Sequence, residues 1–204
     1  MKLKICGMKY EDNIEKVAAL QPDFLGFIFY KPSPRNMTID VPNIPSNIKR
    51  VGVFVDADIE MVKTKIRSHQ LDLVQLHGVE SPDYCLKLKS EGVKIMKVFS
   101  VDGQFDFNEI EPYEDVTDFY LFDTKGPLPG GNGYAFDWRH LENYPSQKSY
   151  FLSGGIGLED IEKINAFKST KASKYCYAID VNSKFELEPG QKKIEELITF
   201  KSQL

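Results

Sequence analysis

Eight short apolar runs alternate with helical patterns, and this alternation limits the possible folds more than any other feature of the chain. The runs are Leu3–Cys6, Phe24–Phe29, Arg50–Val55, Leu73–Leu76, Lys94–Val98, Phe119–Phe122, Tyr150–Leu152 and Tyr175–Ile179. The clearest helical patterns are Glu11–Leu20, Ile59–Ser68, Ser81–Ser90, Glu159–Phe167 and Gln191–Phe200. Almost wholly apolar runs are typical of parallel strands that helices cover on both faces. The pattern predicts an α/β fold, a (β/α)8 TIM barrel, with a doubly wound sheet as the alternative.

Three connections between these runs lack a regular helical pattern. Asn36–Asn47 contains Pro42 and Pro45, each of which would break the interior of a helix. Val101–Asp118 is acidic and has room for at most a short helix, and Thr124–Gly133 is rich in proline and glycine. We therefore expect a barrel with a degenerate second helix.

Length and charge narrow the class of protein further. The 204 residues suit a single barrel domain, 1–204, somewhat shorter than the roughly 250 residues of a typical barrel. The net charge is −4, and lysine and arginine are scattered without a basic block, which argues against nucleic acid or a membrane surface as a partner. No apolar stretch approaches the roughly 20 residues of a membrane span, and the N-terminal sequence lacks a signal-peptide pattern. A cytoplasmic location is expected.

The cysteines and histidines are too dispersed to predict a metal site. They are Cys6, Cys85, Cys176, His69, His77 and His140, with no CxxC pair and no spacing typical of zinc ligands. Cys85 lies in a helical pattern and Cys176 in an apolar run, so both are expected as small core residues. Cys6 differs because it ends the first predicted strand and precedes Gly7.

A glycine-rich turn, Ser153-Gly154-Gly155, joins the seventh predicted strand to a helical pattern. Glycine lets the backbone turn sharply and bring its N–H groups close to an anion, and a helix N-terminus favours a phosphate. A tight strand-to-helix turn without a ligand would give the same sequence. The turn alone therefore leaves both interpretations open.

Polar residues follow most of the predicted strands. They are Cys6-Gly7, Ser33-Pro34-Arg35, Asp56, Gln75, His77, Asp123, Ser153-Gly154-Gly155, Asp180 and Ser183. Any one of them could be a cap or turn residue. In a barrel, however, the carboxyl ends of all strands meet at one face, where the active site is built. The set as a whole favours a catalytic site there.

Several motifs together resemble the phosphoribosylanthranilate isomerase family. They are Lys4-Ile-Cys-Gly7, Gly26-Phe-Ile-Phe29 with Ser33-Pro-Arg35, Val51–Val55, Val74-Gln-Leu-His-Gly78, Leu121-Phe-Asp-Thr124 with Gly130-Gly-Asn-Gly133 and Phe136-Asp-Trp138, and Leu152-Ser-Gly-Gly155. They occur in the family's order across nearly the whole chain. The resemblance implies a (β/α)8 enzyme of tryptophan biosynthesis that performs an Amadori rearrangement of a small phosphosugar without a cofactor.

Two other functions stay open from the residues alone. One is a different phosphosugar barrel enzyme, such as an epimerase or the next enzyme of the pathway. An epimerase usually needs metal-binding histidines and acids at strand ends, where this sequence offers only His77. The other is a barrel that binds a phosphorylated ligand without converting it. The presence of both Cys6 and Asp123 favours the isomerase.

The resemblance also implies roles for individual residues. Asp123 would protonate the furanose ring oxygen, and Cys6, as a thiolate, would take the proton from C2 of the opened Schiff base. Arg35 would lie against the anthranilate ring, where a planar cation can stack and reach the carboxylate. His77 would form part of the site wall, and Asp180 would bind substrate.

The phosphate is expected at Gly154, Gly155, Asn182 and Ser183. The eighth-strand loop departs from the family pattern here, because Lys184 replaces a glycine. Lys184 either adds charge to the phosphate site or points to solvent. The glycine-rich segment within Thr124–Gly133 is expected to act as a lid.

Lys4 raises a separate question. Alternate residues of a strand face the barrel interior, so Lys4 points inward if Cys6 does. A buried ammonium is costly unless it is paired. Asp180 is the candidate partner because the eighth strand closes against the first, and the alternative is a lysine that reaches the open bottom of the barrel.

Overall fold

The computed structural model describes residues 1–124 and 137–204 and contains a closed barrel of eight parallel strands in chain order. The strands are β1 (Lys2–Met8), β2 (Phe24–Ile28), β3 (Lys49–Phe54), β4 (Leu73–Leu76), β5 (Lys94–Val101), β6 (Phe119–Thr124), β7 (Tyr150–Leu152) and β8 (Cys176–Val181). β1 pairs with β2 on one side and with β8 on the other. The predicted (β/α)8 barrel is confirmed, and the doubly wound alternative is wrong because the sheet has no edge.

Five α-helices surround the barrel in the part of the chain that the structure describes. They are α1 (Glu11–Ala19), α2 (Ile59–His69), α3 (Pro82–Lys89), α4 (Ile161–Phe167) and α5 (Ile194–Gln203). Short 3₁₀ helices occupy Phe107–Tyr113, Trp138–Asn143, Leu158–Asp160, Ala172–Tyr175 and Ser183–Phe185. Among these residues, no helix has the length and apolar character that a membrane crossing requires.

The second connection contains no helix, as its prolines predict. Residues 38–47 contain a bend and a turn but no helix or strand. Met37, Ile44 and Ile48 are buried and cover the outside of the barrel in place of a helix. The connection after β5 is likewise reduced to the 3₁₀ helix Phe107–Tyr113, which contains Pro112.

The predicted helix Gln191–Phe200 begins three residues later than expected. Gln191–Lys192 forms a short strand, β10, that pairs antiparallel with β9 (Glu186–Glu188), and α5 starts at Ile194. Pro189 and Gly190 make the turn between these strands, and Gly190 has φ +93°, a left-handed conformation that favours glycine. The hairpin places Lys192, which is 1% exposed, inside the protein.

The lower interior of the barrel is filled by apolar side chains. They are Phe24, Val51, Leu73, Met96, Val98, Leu121, Phe151 and Ala178. The rings of Phe24 and Phe151, for example, meet edge to face with centroids 5.1 Å apart. Since this layer closes the barrel from below, a ligand can enter the interior only from the carboxyl ends of the strands.

Candidate active site

The carboxyl ends of the strands surround an open cleft of about 640 Å³, part of it continuous with solvent. Eight of the nine predicted site residues line it: Cys6, Arg35, His77, Asp123, Gly155, Asp180, Asn182 and Ser183. The ninth, Gly154, lies beneath Gly155 and packs on Thr124. Ser33, Gln75, Ser153 and Lys184 add polar groups to the lining, and Ile28, Val53, Leu121 and Ile156 add apolar ones. The lid expected within Thr124–Gly133 falls, beyond Thr124, outside the described residues.

Cys6 is buried at the carboxyl end of β1, with only 5% of its surface exposed. Gly26 of β2 lies directly beside it, since a Cβ atom there would stand 2.7 Å from the Cys6 Sγ. Burial raises the pKa of the thiol, Asp180 raises it further, and the ammonium groups of Lys4 and Lys192 lower it, with a net rise. In the free protein at neutral pH, Cys6 is therefore mostly a thiol.

Gly7 allows two cleft residues to approach the end of β1. Its φ is +75°, and a Cβ atom there would lie 2.6 Å from Asn182 Oδ1 and 2.7 Å from Arg35 Cδ. Any side chain at this position would displace Arg35 or Asn182. The glycine after the cysteine thus brings the thiol, the guanidinium and the amide into one corner of the cleft.

Lys4 and Asp180 form the buried ion pair expected from strand alternation. Lys4 Nζ lies 2.9 Å from Asp180 Oδ2, and the two side chains are 0% and 5% exposed. Burial alone lowers the pKa of the Lys4 ammonium, but Asp180 and Cys6 outweigh it and the pKa is raised. The other carboxylate oxygen, Asp180 Oδ1, is buried and has no hydrogen-bond partner among residues 1–124 and 137–204.

Replacing Lys4 by methionine is expected to lower the free energy of unfolding by about 3–5 kcal/mol, because it leaves the Asp180 carboxylate buried and unpaired. Urea denaturation measures this loss. Lys16→Met, which removes an exposed lysine paired with Asp12, should cost less than about 1 kcal/mol. Adding Asp180→Asn to Lys4→Met should recover part of the stability. Equal losses for Lys4→Met and Lys16→Met would contradict the buried pair.

Asp123 and His77 face each other across the cleft. Asp123 is the second-to-last residue of β6, is 5% exposed, and accepts a hydrogen bond from the Thr124 N–H at 3.0 Å. Its Oδ2 lies 3.5 Å from His77 Nε2, and Gln75 Nε2 lies 3.4 Å from His77 Nδ1. The Gln75 amide and the Asp123 carboxylate thus flank the His77 ring, and His77 Nε2 has no hydrogen-bond partner among the described residues, which suits a residue of the site wall.

Arg35 enters the cleft from the connection after β2 and is held by Glu186. Its guanidinium makes a forked contact with both carboxylate oxygens, at 2.9 Å from Nε and 2.6 Å from Nη2. Lys192 Nζ also binds Glu186, at 2.7 Å, and the Gly190 N–H donates to it at 3.0 Å. Burial acts to raise the pKa of Glu186, but Arg35 and Lys192 outweigh it and lower the pKa.

Sequence reasoning missed the part that Glu186 and Lys192 play. Lys192 fell inside a predicted helix, where it would have been an ordinary surface residue. The dipeptide Pro189-Gly190 was the signal available for the turn that buries it.

The expected phosphate end of the cleft is formed by two backbone segments. Gly154 and Gly155 have φ +102° and +69°, and a Cβ atom on Gly154 would lie 2.1 Å from Thr124 Oγ1. The turn therefore packs tightly against β6, as only glycine allows. Helical structure after it starts with the 3₁₀ turn Leu158–Asp160, and α4 begins at Ile161, two residues later than predicted.

Lys184 spans this end of the cleft. Its Nζ lies 2.9 Å from Glu159 Oε1, so the side chain joins the loop after β8 to the segment after β7. Lys184 is partly exposed and its ammonium is paired with a carboxylate, so both interpretations that the sequence left open stay open.

Comparison with known proteins identifies one family by sequence. The family model described as N-(5'-phosphoribosyl)anthranilate (PRA) isomerase matches residues 3–203. A relative from Parabacteroides distasonis named N-(5'-phosphoribosyl)anthranilate isomerase is 39% identical, with 100% of this chain and 93% of the relative covered. The crystal structure of phosphoribosyl anthranilate isomerase from Thermus thermophilus is 27% identical with a TM-score of 0.83, covering 100% of this chain and 98% of that one.

A further solved structure contains a ligand. It is described as phosphoribosyl anthranilate isomerase in complex with reduced 1-(o-carboxyphenylamino)-1-deoxyribulose 5-phosphate. It is 27% identical to this chain with a TM-score of 0.78, and the match covers 100% of this chain and 97% of that one. On the extent of these matches, the chain belongs to the N-(5'-phosphoribosyl)anthranilate isomerase family.

Proposed function

We propose that Cys6 and Asp123 carry out, as base and acid, the reaction of this isomerase family. N-(5-phosphoribosyl)anthranilate is rearranged to 1-(2-carboxyphenylamino)-1-deoxyribulose 5-phosphate, a step of tryptophan biosynthesis. The observation that carries the assignment is the placement of a thiol and a carboxyl group in one cleft, between an arginine and a glycine turn. We also propose that residues 1–204 act as one barrel domain, since the strands from β1 to β8 close on one another.

The rearrangement requires one proton to be delivered and one to be removed. Asp123 gives its proton to the furanose ring oxygen, the C1–O bond breaks, and the nitrogen lone pair forms the C1=N bond of a Schiff base. Cys6, as a thiolate, takes the proton from C2, and the C–H electrons form a C1=C2 bond as the C1=N electrons return to nitrogen. The enolamine becomes the ketone when C1 gains a proton and the C2 hydroxyl loses one.

The remaining predicted residues would bind the substrate so that its reacting atoms lie beside Cys6 and Asp123. Arg35 lies where its guanidinium can meet the anthranilate, while Glu186 keeps the plane of the guanidinium fixed. Asp180 Oδ1 faces the cleft without a described partner and can accept a hydrogen bond from a sugar hydroxyl. The phosphate would lie at the Gly154-Gly155 turn and at Asn182 and Ser183, with Lys184 adjacent.

A fluorescence assay that follows the loss of phosphoribosylanthranilate tests the proposal. Wild-type protein should consume the substrate. Analysis of the products should show that all of it has become 1-(2-carboxyphenylamino)-1-deoxyribulose 5-phosphate. Binding of substrate without loss of fluorescence would support the inactive barrel considered above. Turnover of a different pentose phosphate only would support an epimerase.

Replacing Gly155 by leucine is expected to raise KM at least about tenfold while kcat changes little, because the side chain occupies space proposed for the phosphate and leaves Cys6 and Asp123 in place. Gly92→Leu is the matched control. Gly92 has φ +76°, close to the +69° of Gly155, and no atom lies near its missing side chain. Steady-state kinetics on both variants measures the difference. Equal KM values would mean that the phosphate binds elsewhere.

A further inference from the structure

A buried lysine lies behind the cleft and has no part in the proposed proton transfers. Lys192, on β10, is 1% exposed, and its side chain reaches two groups at the site. Lys192 Nζ donates to Asn182 Oδ1 at 2.7 Å and to Glu186 Oε1 at 2.7 Å. Its backbone is fixed by Asn13 of α1, which accepts from the Lys192 N–H at 2.8 Å and donates to the Lys192 carbonyl at 3.0 Å.

The first contact orients Asn182. An ammonium group has only donors, so it takes the oxygen of the Asn182 amide and directs the NH₂ group elsewhere. Asn182 lines the cleft at the end assigned to the phosphate. An amide whose donors face the cleft suits an anion, whereas the reversed amide would present its oxygen and repel one.

The second contact orients Arg35. The Glu186 side chain is 4% exposed and binds Lys192, which is buried, and Arg35, which is 17% exposed at the edge of the cleft. Two cations around one carboxylate leave a net positive charge at the back of the cleft. Lys192 is wholly buried, and burial lowers the pKa of its ammonium to about 8, with Glu186 opposing the shift.

We propose that Lys192 is a positioning residue that sets both ends of the substrate site, holding Asn182 for the phosphate and, through Glu186, Arg35 for the anthranilate. The inference rests on the proposed function, since it assigns those two ligand groups to those two side chains. It goes beyond that function because binding of the phosphate and binding of the anthranilate both depend on the Lys192 ammonium. Removal of Lys192 therefore weakens recognition of both ends at once.

Measuring the affinity of the protein for two substrate fragments distinguishes this positioning role from a role in stabilising the fold. Inorganic phosphate and anthranilate are titrated into the protein and followed by NMR. Lys192→Met should weaken binding of both fragments at least about tenfold, Glu186→Gln should weaken anthranilate more than phosphate, and Asn182→Ala should weaken phosphate only. Lys193→Met, which removes the neighbouring exposed lysine paired with Glu196, should change neither.

A second readout uses the thiol. The charged groups that face Cys6 are Lys4 on β1, Asp180 on β8 and Lys192 on β10. Because Lys192 favours the thiolate, Lys192→Met should move the pH profile of Cys6 alkylation by iodoacetamide to higher pH. Replacing Cys85 and Cys176 by alanine beforehand confines the reaction to Cys6. An unmoved profile would show that the Lys192 ammonium does not act at the cleft and would count against the positioning role.

Each outcome decides between the alternatives. If Lys192→Met does not fold, Lys192→Met combined with Glu186→Gln removes the ion pair as a neutral unit and should show the same double loss. If wild-type protein binds both fragments and the folded lysine variant binds both within about twofold, the positioning role is wrong and the proposed function stands. If wild-type protein binds neither fragment, the two ends are not recognised as assigned here and the positioning role is wrong, whereas turnover of the whole substrate decides the proposed function separately.

Discussion

Replacing Cys6 by serine should lower kcat by about 10²–10⁴-fold, the usual contribution of a general base. A serine hydroxyl does not ionise at neutral pH, so the variant keeps the shape of the site but cannot take the C2 proton. Gly26 leaves room for either side chain. The interaction lost is made in the transition state, so kcat and kcat/KM should fall together. Stopped assays with a large excess of enzyme measure the residual rate.

The pH dependence gives the same assignment a second test. Because burial raises the pKa of Cys6, the thiolate fraction and the rate should increase as the pH is raised above neutral. Cys85→Ala and Cys176→Ala are the controls and should affect stability more than turnover. Burial raises the pKa of these thiols too, to about 11 and about 12, and neither lines the cleft. If Cys6→Ser retained more than a tenth of the wild-type kcat, Cys6 would not be the base.

Replacing Asp123 by asparagine should also lower kcat by about 10²–10⁴-fold. Asparagine has nearly the same shape and can still accept from the Thr124 N–H, yet it has no acidic proton for the ring oxygen. His77→Gln is the informative comparison, because His77 lies 3.5 Å from Asp123 and is the other group that could deliver a proton. It should lose less than about tenfold if it only orients the acid.

Substrate opened in advance would sharpen this test. The Asp123 proton is needed for ring opening, so the defect of Asp123→Asn should shrink when the open Schiff base is supplied, whereas that of Cys6→Ser should persist. A His77→Gln loss as large as that of Asp123→Asn would transfer the role of acid to His77. Little effect from either variant would leave the ring-opening step without a protein acid.

The side chains at the ends of the barrel strands could be predicted from the sequence because strand alternation is local and a closed barrel pairs its first strand with its last. Lys4 and Cys6 are two residues apart on β1, so one inward side chain implies the other, and closure then brings Asp180 beside them. The absence of a second helix followed from Pro42 and Pro45 for the same reason: each proline acts on its own backbone.

The support behind the cleft could not be predicted in this way. Whether Lys192 is on a helix surface or buried depends on a turn at Pro189 and Gly190, and the apolar spacing of the following residues favours a helix that begins earlier. Glu186 joins Arg35 across 151 residues of sequence, a contact that no local pattern encodes. The turn at Pro189 and Gly190 thus decided the position of Lys192 against the helical periodicity. The ion pair between Glu186 and Arg35 decided the position of the guanidinium.

Closure of the ring by β1 and β8 has a consequence for synthesis on the ribosome. Lys4 and Asp180 are 176 residues apart, so at roughly 5–20 residues per second the first strand waits about 9–35 s for its partner. During that interval the ring cannot close, because β8 does not yet exist, and the Lys4 ammonium lacks its Asp180 partner. The thiol that the finished protein encloses is then an ordinary accessible cysteine. Oxidants and alkylating agents therefore have their best opportunity to inactivate this enzyme before the chain has been completed.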